Sequence, residues 1–564
     1  MADNNEHKVS VNSGITPSAN SEVGGRNIIQ TETKTDSNSD SDSGMDMETH
    51  RGPATEPKPR NDKTEDAMDI DPEDPESEDE AAFTTLKLTP IEKNAKRDYI
   101  RIMMIMPCRV YNYATAQMLA MGNEILQAFR KTIALWPFLT GEFKVIKNSN
   151  DQDSEVVLTY RREFDWSSIR SLVTYADPIE KVAPPYSHIY KIPSRKYPSI
   201  LTALQDHDPE HADSFAPIAL KLTLENGLLF MSFAFSNIIF DGEFITNFFR
   251  EFLNFSMQTG HTPIWRPENG LICAADFGRN MPEILNSGID VKSEFPCFDW
   301  NKATEVEERT PQSDLAFEIF SLPESSVHGT WLEIRDEALK LKSKNSPLIQ
   351  DFIFALFWVL IIRVRSESGL IELKGTTRAN IMVPGHLAIS GRHENDPYYY
   401  GNSTVNAVAS CNATNLVGRA IVWDDFERPF SSDYRRLACA GILIRKARRE
   451  INKEYMSKLY GLKQVISPAE DQLACDRALR PHTESVICED WTNYGAHLEA
   501  HFSYLEEDHQ PRFVPSMTGL REGTVIILPR KDEEFGDEGW NICVCLTAGE
   551  LERAKELLGD EGWV

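Results

Sequence analysis

The chain has 564 residues, 41% of them hydrophobic and 26% charged, with a formal charge of −28 at pH 7. That length exceeds one hydrophobic core and suits two domains, and so acidic a chain lacks the clustered Lys and Arg that a nucleic acid or an anionic membrane surface would need. Its nine cysteines are scattered, odd in number and without a CxxC pair, which predicts free thiols and no metal site.

Residues 1–80 carry 7 Lys or Arg against 21 Asp or Glu, half of the net charge in a seventh of the chain. Runs such as SNSDSDSGMDME and PEDPESEDE cannot bury enough apolar surface to offset ordering entropy, so residues 1–82 are expected to be a disordered acidic tail. Ser77 lies in its most acidic run, where a phosphate would make the tail regulatory; a merely solubilising extension is the plainer reading. The opening MADNNEHKVSVNSG has no apolar core of a signal peptide, so a cytoplasmic protein is expected, and the glycosylation patterns at Asn254, Asn402 and Asn412 are read as coincidental.

Order is expected from Leu86. Tyr99 to Met106, YIRIMMIM, reads as a buried strand, and a helix follows from Thr115 to Trp136 with Met118, Ile125, Phe129 and Ile133 inward, stopped by Pro137. Gly141–Ile146 and Val156–Tyr160 alternate like paired strands. A Pro, Tyr and His rich loop spans residues 180–214, and a strand covers Ile218–Glu225. The segment from Gly227 to Phe252 then reads as a buried strand, Leu228–Ile239, followed at Gly242 by a helix whose Phe244, Phe248, Phe249 and Phe252 recur on one face. Between them stands Ser236-Asn237-Ile238-Ile239-Phe240-Asp241-Gly242, a polar strand end that places side chains at the mouth of a cleft.

Residues 261–312 have weak periodicity and are expected to cross between domains. A strand at Leu315–Leu322, a charged helix at Thr330–Lys342 and an apolar helix at Ser346–Arg365 follow. The last is long enough to raise a membrane span, but Gln350, Asp351, Arg363 and Arg365 bound it, and a buried core helix is expected. Strands at Thr376–Val383 and Ser403–Ala413 flank Tyr400-Gly401-Asn402, where Gly401 frees a close turn and Asn402 caps its neighbours. An amphipathic helix at Ser432–Asn452, a strand within SVICEDW (485–491) and a closing hairpin of residues 524–530 and 541–547 complete the pattern, ahead of a last helix. Cys543 and Cys545 should share one face of their strand.

In ordered fragments over residues 83–564 this succession resembles the BAHD-type acyl-CoA acyltransferases, especially the fungal branch similar to trichothecene 3-O-acetyltransferase. PFLTGE (137–142) is similar to the family's PFLAGE, SPLIQDFIFALFW (346–358) to NDALxALLW, YYGN (399–402) to YFGN, the EDW of SVICEDW to SSW, and Pro511–Pro515 is its PRFVP. The resemblance implies an α/β fold of mixed sheets flanked by helices. It further implies two pseudo-symmetric chloramphenicol acetyltransferase-like domains, residues 83–260 and 313–564, with an active-site tunnel between them. It implies acyl-CoA as co-substrate, a small-molecule acceptor, and no metal, nucleic acid or membrane partner; a monomer is expected.

The resemblance also implies site residues. The family's HHxxxDG carries the general-base histidine, and here Ser236 and Asn237 stand in place of the two histidines while Asp241 and Gly242 are kept. An amide cannot accept a proton at useful pH. None of the thirteen histidines has an Asp four residues on, so the motif has not moved. Asp241 is expected to hold the loop by pairing with Arg378, and Ser236, Asn237, Tyr400, Gly401, Asn402 and Trp491 to face the cleft. The family's DFGWG signature is reduced to His501-Phe502-Ser503, which keeps only the Phe. His501, His497 and His386 are candidate substitute bases. Two readings remain open: an acyltransferase whose acceptor is self-activating or whose base comes from elsewhere, and a catalytically inactive relative that binds a small molecule or a protein.

Overall fold

The computed structural model describes residues 83–108, 115–147, 154–161, 172–175, 209, 212–225, 227–256, 272–273, 294–301, 314–372, 374–385, 399–417, 431–479, 484–495, 499–503, 505, 511–516, 520–530, 539–560 and 563. All lie within one compact unit, Asp74–Val564. The acidic segment 1–82, most of 261–312, His386 and His497 lie outside the described residues. The architecture is α/β, with mixed sheets flanked by helices.

The first large sheet runs in the order Arg512–Pro515, Tyr99–Pro107, Leu228–Ser236, Ile218–Glu225, Val173–Tyr175. Its central strand, LLFMSFAFS, is buried at every position, as an unbroken apolar run requires when both faces are covered. The helix Gly242–Asn254 lays its stripe on that strand: Phe233 meets Phe249 edge-on at 5.1 Å, and Phe235 meets Phe248 at 5.3 Å. Edge-to-face pairs of this kind add about 0.5–1.5 kcal/mol each beyond burial. The helix is covered on its polar side as well, because Glu243, Thr246, Asn247 and Glu251 are buried. Trp136, where the Thr115–Leu135 helix stops before Pro137, packs on Phe244 at 5.2 Å.

The second large sheet runs Leu315–Leu322, Trp540–Thr547, Thr524–Ile527, Ser485–Asp490, Thr376–Pro384, Thr404–Asn412. Its outer pairs are antiparallel, while Ser485–Asp490 lies parallel to both neighbours. The apolar helix Ile349–Glu367 belongs to the core that covers one face, and Trp358 Nε1–H donates to Thr377 Oγ1 in the sheet at 2.9 Å. Among the described residues no helix is long and apolar enough to cross a membrane.

Most element bounds match the periodicity within three residues, and the departures have local causes. The charged helix expected from Thr330 starts at Glu324, directly after Pro323, whose fixed φ suits a helix entrance. Two helices, Lys453–Val465 and Pro468–Leu479, fill a stretch read only as a return to the sheet. The PRFVP segment, expected with the second half, adds a strand to the first sheet instead: Phe513 stands opposite Met104, and its ring lies 5.0 Å from Phe249.

Candidate functional site

A cavity of about 380 Å³ lies between the two large sheets, within the range of small-molecule sites. The first half lines it with Tyr99–Arg101, Asn237, Gly242, Glu243 and Thr246. The second half contributes Met382–Pro384, Asn402, Thr404–Asn406, Leu459, Glu489–Trp491 and Tyr494, among others.

Asn237 follows the last residue of the central strand, and its backbone is fixed from two sides. Its N–H donates to the Asp98 carbonyl at 2.9 Å, and its own carbonyl accepts from the Asn402 side-chain amide. Asn237 lines the cavity, and its side chain makes no hydrogen bond to another described residue. Ser236, just before it, is fully buried and accepts from the Ile238 N–H at 3.4 Å.

Asp241 caps the helix that follows, accepting from the Phe244 N–H at 2.9 Å, as an N-cap carboxylate should. Its other oxygen accepts from Ser403, backbone N–H at 3.2 Å and Oγ at 3.1 Å. The expected ion pair with Arg378 is not formed. Register explains this: Pro384 pairs with Thr404, beside Ser403, whereas Arg378 pairs with Ser410, six positions further along the same strand. At about 3.3 Å per residue the two points are roughly 20 Å apart, beyond the reach of an arginine.

The YGN turn latches the two halves together. Gly401 has φ +114°, a region closed to most side chains. The consecutive N–H groups of Asn402 and Ser403 then point at two carboxylates, Glu92 Oε1 at 3.2 Å and Asp241 Oδ2 at 3.2 Å. Glu92 closes a capping box with Thr89. Burial, with a smaller contribution from Asp241, pushes its pKa up to about 7 against the hydrogen bonds from Thr89 and Asn402. Tyr399–Tyr400 pairs parallel with Ile272–Cys273, and the Tyr400 side chain lies outside the description.

The strand Ser485–Asp490 shows its own alternation. Val486 and Cys488 enter the helix-covered core, while Ile487 and Glu489 face the cavity, with Trp491 beyond them. Trp491 Nε1–H donates to Glu489 Oε2 at 3.0 Å, and its ring stacks on Tyr494 at 5.1 Å. The Tyr494 hydroxyl lies against Gly242, 2.9 Å from where a Cβ there would stand. Burial, reinforced by surrounding carboxylates that include Glu489 and Asp241, raises the Tyr494 pKa far above its usual value, so the phenol stays a donor. Burial also raises the pKa of Glu489, opposed by the Trp491 hydrogen bond and the Arg521 charge.

The degenerate second signature lies away from the cavity. His501 is half exposed and pairs with Glu499 at 3.2 Å; Phe502 packs on Phe252 at 5.7 Å, and Ser503 donates through its N–H and Oγ to the Glu124 carboxylate at 2.7 and 2.6 Å. These residues brace the first half, and His501 is not placed to take a proton in the cavity. Among the described residues no histidine lines the cavity and no His, Cys, Asp and Glu cluster could hold a metal ion. Sequence reasoning missed Glu489, Tyr494 and Glu92; the signal for Glu489 was a charged end to an otherwise apolar strand.

No protein-family model matches the sequence, and no curated protein does. Solved structures do match. F. graminearum TRI101 complexed with coenzyme A and deoxynivalenol aligns at 15% identity and TM-score 0.59 over 84% of this chain and 97% of that one. F. sporotrichioides TRI101 complexed with coenzyme A and T-2 aligns at 14% identity and TM-score 0.57, covering 85% and 98%. TRI3 trichothecene 15-O-acetyltransferase from Fusarium sporotrichioides aligns at 12% identity and TM-score 0.51, covering 85% and 95%. The chain therefore shares the fold of these three structures.

Proposed function

We propose that the protein transfers an acyl group from acyl-CoA to the hydroxyl or amine of a small metabolite. The observation that carries this reading is the cavity between the sheets, lined from one side by Asn237 and Gly242 and from the other by Asn402, Glu489 and Trp491. Both halves of the chain line it, so a donor and an acceptor could meet there, as acyl transfer needs. It also offers donors for a developing oxyanion in the Tyr494 hydroxyl and the Asn237 amide. TRI101, which shares the fold, has been crystallised with coenzyme A and deoxynivalenol together, which supports this reading.

Titrating the full-length protein with CoA and acetyl-CoA by calorimetry tests the reading, with micromolar binding expected and absence of binding sinking it. A second reading, a binding protein without turnover, rests on Asn237 occupying the proton-abstraction position. It expects CoA binding with thiol release from acetyl-CoA appearing only in Asn237→His.

A further inference from the structure

We propose that Glu489 is the proton acceptor of the transfer, acting from the wall of the cavity opposite Asn237. This assignment rests on the acyltransferase reading and deepens it. Strand alternation turns Glu489 to the cavity, and Trp491 Nε1–H holds one carboxylate oxygen at 3.0 Å, which fixes the side chain as a positioned base must be fixed. Trp491 stacks on Tyr494, and the Tyr494 hydroxyl reaches Gly242. Glu489 is thus tied through two aromatic rings to the loop that carries Asn237, and both face one chamber.

The other carboxylates of the chamber are less suited. Asp98 lies 3.6 Å from Arg101, Asp476 lies 3.8 Å from Arg521, and Asp471 is bound by Lys463, so each is already engaged by a cation at ion-pair distance. Asp490 accepts from Thr492 N–H and Oγ1. Glu243 sits in the first turn of its helix, where the dipole favours the anion. Among the described residues, Arg521 supplies the opposing charge in the Glu489 balance. Tyr494, Cys488 and Cys543 are kept neutral by burial that raises their own pKa values. Desolvation raises the Glu489 pKa, which makes its carboxylate a stronger base.

In the step, the acceptor oxygen or nitrogen attacks the thioester carbonyl carbon while its proton passes to the Glu489 carboxylate. The tetrahedral intermediate then expels the CoA sulfur, the C–S bond breaks, and the thiolate takes that proton back as CoA thiol. Glu489 returns to its anion.

The test uses acetyl-CoA with water as acceptor, reading thiol release by the full-length protein across pH 5 to 9. Glu489→Gln keeps the shape and the acceptor for Trp491, and is expected to lower release at least 100-fold, with CoA affinity and melting temperature unchanged. The acidic limb of the rate profile should vanish in that variant, and Glu489→His should restore part of the rate with the limb moved toward the imidazole range. Equal release by wild type and Glu489→Gln, at any level, overturns the assignment, as does a loss confined to Glu243→Gln. Failure of wild type to bind CoA in calorimetry is a different result: it removes the acyltransferase reading itself, and this assignment with it.

Discussion

At the scale of single residues, Glu92 and Asp241 show how much of the site is held by carboxylates reached through backbone amides. Glu92 is 4% exposed, and burial lifts its pKa to about 7 from an ordinary 4.5. A group whose folded pKa is raised binds its proton more tightly in the native state, so its contribution is fully present below about pH 4.5. It is lost as pH rises through 7. Wild type minus Glu92→Gln should therefore show stability falling by about 3 kcal/mol between pH 5 and 8 in urea titrations. A difference that is flat with pH would show that Glu92 stays ionised. Nothing in Thr89-Pro90-Ile91-Glu92 revealed that Asn402, 310 residues away, would donate to the Glu92 carboxylate. Asp241 was legible as a structural residue, and its partner was not: choosing Arg378 needed a strand register, which the local pattern of TTRAN does not contain.

Among the elements, legibility followed the strength of the apolar period. The Phe244, Phe248, Phe249, Phe252 stripe and the apolar run Phe352–Ile362 announced their helices because burial there is dense and regular. The helices Lys453–Val465 and Pro468–Leu479 did not, since their apolar faces are thin and polar residues such as Lys463 and Asp471 border the cavity. The buried helix Ile349–Glu367 also hides a polar device that its sequence showed as a mere end. Arg365 is 1% exposed and reaches Glu522 at 3.0 Å, Glu550 at 3.1 Å and the Ser485 carbonyl at 3.2 Å. It joins that helix to the strand carrying Glu489 and to the terminal helix Ala548–Asp560. Arg365→Met leaves two buried carboxylates facing an apolar group, so a loss of about 3–5 kcal/mol is expected. The triple variant Arg365→Met, Glu522→Gln, Glu550→Gln should recover much of it; a triple variant as unstable as the single one would point to lost shape rather than lost charge balance.

For the whole molecule, the decisive arrangement is that each half carries part of the other. The strand Arg512–Pro515 completes the edge of the first sheet, and Asn94, beside the Glu92 turn, donates to the Lys463 carbonyl at 2.8 Å in the second half. Unfolding of the Asp74–Val564 unit should then be a single cooperative event. Phe513→Ala, which empties a buried position 1% exposed, is expected to cost about 3–5 kcal/mol and to lower one calorimetric transition as a whole. Two separated peaks, of which only one moves, would show that the halves melt independently.

The pairing of Phe513 with Met104 also has a consequence for biosynthesis. The two residues are 409 positions apart, so at the usual rate of 5–20 residues per second the ribosome needs roughly 20 to 80 s to supply the partner of Tyr99–Pro107. Throughout that interval a nascent strand of Met and Ile offers its free edge to any neighbouring chain. The growing polypeptide is thus most prone to aggregate before Arg512–Pro515 emerges, and demand for a chaperone should fall once that strand has left the exit tunnel.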